Sequence, residues 1–155
     1  MHIPMGKARQ PKTLRADARA MVAGCAGWNS RIAARRITQF LDRALAATGL
    51  GVAQLGLMAE IAALDDDTLA ALAGRTGLDQ STLSRNLRTL EKAGLVEIAA
   101  VESDLRRRAV WLTETGARRL EAAVPLWRRA QAELAEHLSP TRVRRLALEA
   151  AALTE

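Results

Sequence analysis

At 155 residues the chain is long enough for one domain with a real core and short for two. Its 49% hydrophobic and 26% charged residues are an ordinary globular mixture; many Ala, one Phe and no Tyr favour close-packed helices over a large strand-rich core. The net charge of +6 favours a polyanionic partner, nucleic acid ahead of an anionic membrane surface.

Residues 1–26 read as a flexible basic arm, with Lys7, Arg9, Lys12, Arg15 and Arg19 against Asp17 alone, and with Pro4 and Pro11. Such an arm either solubilises the protein or touches DNA phosphates. Val22-Ala23-Gly24-Cys25 has the look of a lipoprotein cleavage box, but Arg15, Asp17 and Arg19 interrupt the apolar segment an export signal needs. No apolar run approaches membrane-spanning length. Cys25 is the single cysteine, so no internal disulfide can form, and a cytoplasmic setting is expected.

From Asn29 to Thr48 Ile32, Ile37, Phe40, Leu41 and Leu45 recur at helical spacing, and Gly49 stands at a C-cap position. A second helix is expected from Val52 to Leu64, broken by Asp65-Asp66-Asp67. Thr68 can cap a short helix from Leu69 to Arg75 that stops near Gly77. Asp79 can cap the next, Gln80 to Ala93, with Leu83, Leu87 and Leu90 inward and Gly94 closing it. Two strands follow, Leu95–Ala100 and Arg108–Leu112, flanking a charged hairpin tip at residues 102–107. Thr113 caps a long helix to Leu138, with Leu120, Val124, Trp127, Leu134 and Leu138 in a stripe and Pro125 expected to kink it. Ser139-Pro140 starts a last helix carrying Val143, Leu146 and Leu153. The fold class is mainly α with a small β-hairpin wing.

The functional signal lies in residues 68–113, which read short helix, tight turn, second helix, hairpin. A helix-turn-helix lays its second helix in the DNA major groove. With Leu83, Leu87 and Leu90 inward, the outer face offers Ser81, Ser84, Arg85 and Arg88, with Gln80 and Thr82 at the N-terminal end. Arg suits guanine, Gln suits adenine, and Ser bonds bases or phosphates. The hairpin adds Arg106 and Arg107, which can approach a minor groove, with Arg108 the weakest candidate because alternation cannot aim all three alike. Taken singly, each feature is usually a solvated surface; together, and with the basic charge, they favour DNA.

Asp79-Gln80-Ser81-Thr82-Leu83-Ser84-Arg85-Asn86-Leu87-Arg88-Thr89-Leu90-Glu91-Lys92-Ala93-Gly94-Leu95-Val96 resembles the recognition helix of the MarR family (multiple antibiotic resistance regulators) and its exit into the wing. Asp104-x-Arg106-x-x-x-Val110-x-Leu112-Thr113-x-x-Gly116 resembles the family's wing signature, and Asn29-x-Arg31 through Asp42 its first helix. The resemblance covers roughly residues 27–155. It implies a winged head at about 51–113 and dimerisation helices at about 29–49 and 113–155. It further implies a triangular homodimer on a pseudo-palindromic operator of double-stranded DNA, usually as a repressor. A small, often phenolic or anionic effector would bind between head and dimer region and weaken DNA binding. Asp104 would orient wing arginines, and Arg106 would approach the minor groove.

Trp28, Arg31 and Arg35 are candidate ligand contacts near the start of the first helix, though solvated or ion-paired arginines are commoner. Cys25 invites a redox-switch alternative. Aligning Trp28 with the aromatic residue that follows the reactive cysteine of peroxide-sensing relatives puts Gly27 at the cysteine position, leaves Cys25 two residues early, and finds no Tyr to flank it. A winged-helix module for protein contacts is the other alternative. No cofactor is implied: His2 and His137 are far apart, and a zinc site would need a dimer to assemble it. The Asp65–Asp67 run reads as a solvated spacer rather than a cation site. No nucleophile–base arrangement or glycine-rich phosphate loop suggests an enzyme.

Overall fold

A computed structural model describes residues 12–101 and 104–154, without the side chains of residues 12, 101, 104–107 and 154. The chain divides into two compact units, Met1–Gln39 and Phe40–Glu155.

The first unit holds helix α1 (Lys12–Gly24) and most of helix α2 (Ala26–Ala44), which runs on into the second. The helicity of Lys12–Gly24 corrects the expectation of an irregular arm reaching residue 26. Between Pro11 and Gly24 the chain has four Ala, two Arg, a Leu and a Met and no proline, so helix propensity outweighs the charge that suggested a tail. Cys25 marks the break, yet helical bonding continues across it: Cys25 N–H donates to Met21 O at 2.9 Å and Asn29 N–H to Cys25 O at 3.0 Å. The Asn29 side-chain amide donates to Ala23 O at 3.1 Å.

In the second unit the end of α2 passes through a 3-10 turn (Ala46–Thr48) to Gly49, whose φ of 71° is the left-handed cap that glycine accepts. Helix α3 (Val52–Ala62) starts with its Val52 N–H donating to the Asp42 carboxylate at 2.7 Å. Helix α4 (Leu69–Thr76) is capped by the Thr68 hydroxyl, which accepts from Ala71 N–H, and α5 (Gln80–Lys92) by Asp79.

Strands β1 (Val96–Val101) and β2 (Asp104–Leu112) pair antiparallel, with Val96 opposite Leu112 and Ile98 opposite Val110. The backbone of residues 104–107, expected in the hairpin tip, is therefore strand, and the register slips between Ala100 and Val101. A third segment joins from the Asp-rich loop: Thr68 bridges Ala109, and Val110 N–H donates to Asp67 O at 2.8 Å. The loop thus supplies backbone bonds to the wing as well as spacing two helices.

Helix α6 (Glu114–Ala135) begins at the Thr113 cap and contains Pro125 without ending there. It stops three residues short of the expected Leu138. Its buried positions are Gly116, Ala123 and Ala130, seven residues apart, so small side chains and not the Leu/Val/Trp stripe make its closest packing. A Cβ at Gly116 would stand 1.9 Å from the Leu95 carbonyl oxygen, so only glycine fits there. Helix α7 (Pro140–Ala151) starts at Ser139, whose hydroxyl accepts from Arg142 N–H, and buries no residue.

The core of this unit gathers Leu45, Met58, Leu72, Leu90, Val96 and Val110, each less than 2% exposed, from the turn after α2, from α3, α4 and α5, and from both strands. No described helix is long and apolar enough to cross a membrane, and no group of three or more described His, Cys, Asp or Glu could hold a metal ion.

Candidate nucleic-acid interface

Helix α5 is fixed from two sides. Leu83, Leu87 and Leu90 bury its inner face, as their 4-3 spacing requires. At its N-terminus the Asp79 carboxylate accepts from Ser81 Oγ at 2.6 Å, Thr82 Oγ1 at 2.7 Å and Thr82 N–H at 2.9 Å. These bonds, the Ser81 hydroxyl first, hold the Asp79 carboxyl well below the usual carboxylate range. Asp79 is therefore a fixed anion.

The outer face forms a shallow groove lined by Ser81, Ser84, Arg85, Arg88, Thr89 and Lys92. Arg85, Arg88 and Lys92 are exposed and none joins an ion pair among the described residues, whereas Arg75 is held by Glu60 at 2.8 Å. Four sequence-predicted residues, Ser81, Ser84, Arg85 and Arg88, thus share one surface. Thr89 and Lys92 were missed, although Lys92 continues the 81-85-88 spacing by four. Thr82 is half-buried and does not line the groove.

Gln80 opens on the other side of α5. It lines a cavity of about 630 Å³ between α4, α5 and the hairpin, with Ser84, Arg88, Glu91 and Arg108 and a floor that includes Leu69, Leu83 and Leu87. Arg88 borders both spaces. Asp104, Arg106 and Arg107 stand on β2, but their side chains lie outside the described residues. Trp111 is on the outer face of the hairpin, where its indole N–H donates to the Glu97 carboxylate at 3.1 Å across the pair Glu97–Trp111.

Trp28, Arg31 and Arg35 are exposed on α2 in the first unit. The exposed Cys25 Sγ accepts from Trp28 N–H at 3.4 Å. A different, more apolar cavity of about 410 Å³ lies between α3 and α6, walled by Val52, Leu55, Leu120, Val124 and Trp127, with Glu60 and Arg128. The sequence could show Leu120, Val124 and Trp127 as a stripe, but not that α3 leaves a gap against them.

The sequence profile of the MarR family matches residues 48–107. No curated protein sequence matches significantly. Among solved structures, the M. tuberculosis transcriptional regulator MosR in complex with DNA is 37% identical, with 84% of this chain and 96% of that one aligned at a TM-score of 0.76. E. coli MarR, as a mutant complexed with operator DNA, is 22% identical over 87% of this chain and 97% of its own, at a TM-score of 0.72. The PcaV regulator of Streptomyces coelicolor, solved with its natural ligand, is 19% identical over 86% and 96%, at 0.75. The last two likenesses concern the fold alone.

Proposed function

The chain belongs to the MarR family of DNA-binding transcriptional regulators, and on that premise we propose that it is a homodimeric repressor of a pseudo-palindromic operator, released by a small aromatic or anionic ligand. The observation that carries the reading is the α5 groove, whose cations Arg85, Arg88 and Lys92 are exposed beside Ser81 on a helix rigidly capped and packed. Such a surface suits a major groove, with Arg toward guanine and Gln80 toward adenine from the flank. Arg106 serves phosphates or a minor groove beside it, Arg107 assists, and Asp104 orients them. On this reading the protein acts in the cytoplasm.

Self-association is supported by α7, whose Val143 and Leu146, one turn apart on one face, are 37% and 56% exposed in the single chain. A contiguous apolar face of this kind marks an interface, and a two-fold dimer matches a two-fold operator. Ligand release is supported by the α3–α6 cavity, where Trp127 offers a flat face and Arg128 a cation. PcaV, of similar fold, has been solved with its natural ligand. A second place for the ligand is the α2 face with Trp28, Arg31 and Arg35. Trp127→Ala and Trp28→Ala separate the two.

The test is selection of bound sequences from random duplex DNA, repeated with a panel of aromatic acids. Recovery of an inverted repeat, lost when an acid is added, supports the whole reading. Recovery of no consensus sinks the operator, and a consensus indifferent to every acid sinks the ligand switch.

A further inference from the structure

The outer face of α5 is divided by hydrogen-bond polarity. From its middle to its C-terminal end, Arg85, Arg88 and Lys92 can only donate. At the tip the hydroxyls have spent their donors. A serine or threonine hydroxyl carries one proton, and those of Ser81 and Thr82 both go to the Asp79 carboxylate, at 2.6 and 2.7 Å. Bonds to an ionised acceptor are the strong class. The Thr82 N–H, one of the free donors that would make a helix N-terminus attract phosphate, is also committed to Asp79. Thr82 is half-buried and away from the groove, so it holds the carboxylate in place, while Ser81 lines the groove with lone pairs to offer.

Resting on the reading of α5 as the recognition helix, we propose that Asp79 makes Ser81 an acceptor-only reading residue, so that the tip of α5 selects a base whose exocyclic amine donates in the major groove. Adenine N6 and cytosine N4 are such donors; guanine O6 and thymine O4 are acceptors and are disfavoured. Phosphate oxygens only accept, so Ser81 cannot serve as a phosphate anchor without breaking its bond to Asp79. Asp79 is here a positioning residue: it sets the hydroxyl's polarity without having to touch DNA.

The experiment compares full-length wild type, Ser81→Ala, Asp79→Gly and Arg85→Ala by selection from random duplex DNA. Affinities for defined duplexes are then measured with the selected adenine replaced by purine, which lacks the amine. Where cytosine is selected, the replacement is the pyrimidinone lacking its amine. Wild type should enrich adenine or cytosine at one position per half-site and lose about five- to tenfold in affinity when the amine is removed, the lower part of the range for a base contact. Ser81→Ala should abolish that sensitivity and leave the salt dependence unchanged. Asp79→Gly keeps a tolerated N-cap residue but removes the oxygen that takes the Ser81 hydroxyl proton, and should shift the same position toward guanine or thymine. If Asp79→Gly melts early, Ser81→Ala, which leaves the cap intact, still decides. The proposal is overturned if the Ser81-sensitive position favours guanine or thymine in wild type. It is equally overturned if Ser81→Ala changes the salt slope and no base preference. Should Arg85→Ala alter preference while the other two do not, this inference alone fails; should all three leave preference intact, the recognition-helix reading fails with it.

Discussion

Helices α5 and α7 are built alike and end in opposite environments. They have 13 and 12 residues, each starts with a side chain accepting a backbone N–H three residues on, and each gathers apolar residues on one face, Leu83, Leu87 and Leu90 in α5 and Val143, Leu146 and Ala150 in α7. Yet Leu87 of α5 is 4% exposed and Leu146 of α7 is 56% exposed. Amphipathicity states that a helix has a face to hide and is silent on where the partner is. For α5 the partner is the rest of the chain, through the hairpin and beside α4. For α7, on the dimer reading proposed above, the partner is a second copy.

That contrast can be broken most directly with paired truncations. Leu87→Ala should cost about 2–5 kcal/mol of stability at every protein concentration, as for a buried leucine. Leu146→Ala should instead lower the melting temperature only in a concentration-dependent way and raise the dimer dissociation constant. Concentration-independent melting of Leu146→Ala, with sedimentation unchanged, would remove α7 from the interface.

Next in size is Gly116→Ala, where the added Cβ meets the Leu95 backbone rather than a movable side chain. We expect about 1–3 kcal/mol of destabilisation by overpacking, read by denaturant titration; a neutral result would mean that α6 and the hairpin base shift easily.

Arg85→Ala and Arg88→Ala sharpen the comparison from the other face. Each should lose roughly 1–3 kcal/mol of discrimination between operator and scrambled DNA with the melting temperature unmoved. Unchanged preference in both would contradict the assignment. The smallest effect is expected at Arg106→Ala, which should weaken all sequences together and flatten the log–log salt slope by roughly one unit for one phosphate contact. Asp104→Ala should do the same more mildly. Identical slopes for Arg106→Ala and wild type would take the wing off the DNA.

Local chemistry was the legible part of the sequence. Thr68, Asp79, Thr113 and Ser139 each cap the helix expected of them, and Gly49, Gly77 and Gly94 all adopt positive φ at helix ends, because a cap depends on a few neighbouring residues. The outward α5 residues followed from the inward ones. What escaped depends on contacts distant in sequence: the Thr68–Ala109 bridge, the extension of β2 to Asp104, and the gap between α3 and α6 beside Trp127. The α1 helix escaped for another reason, since charge and the two prolines were weighed over propensity.

The junction at Gly116 has a mechanical meaning. Thr113 Oγ1 donates to Gly94 O at 2.6 Å, Thr113 N–H donates to Leu95 O at 3.1 Å, and Gly116 lies against that same carbonyl. The start of α6 is thereby welded to the turn that leaves α5 and enters β1, with no side-chain cushion between them. Trp127 sits eleven residues further along α6, about 16 Å down the axis. On the reading that a ligand enters the α3–α6 cavity, a molecule that shifts α6 at Trp127 bears on a helix whose other end is fastened to the root of the wing, with Pro125 between the two.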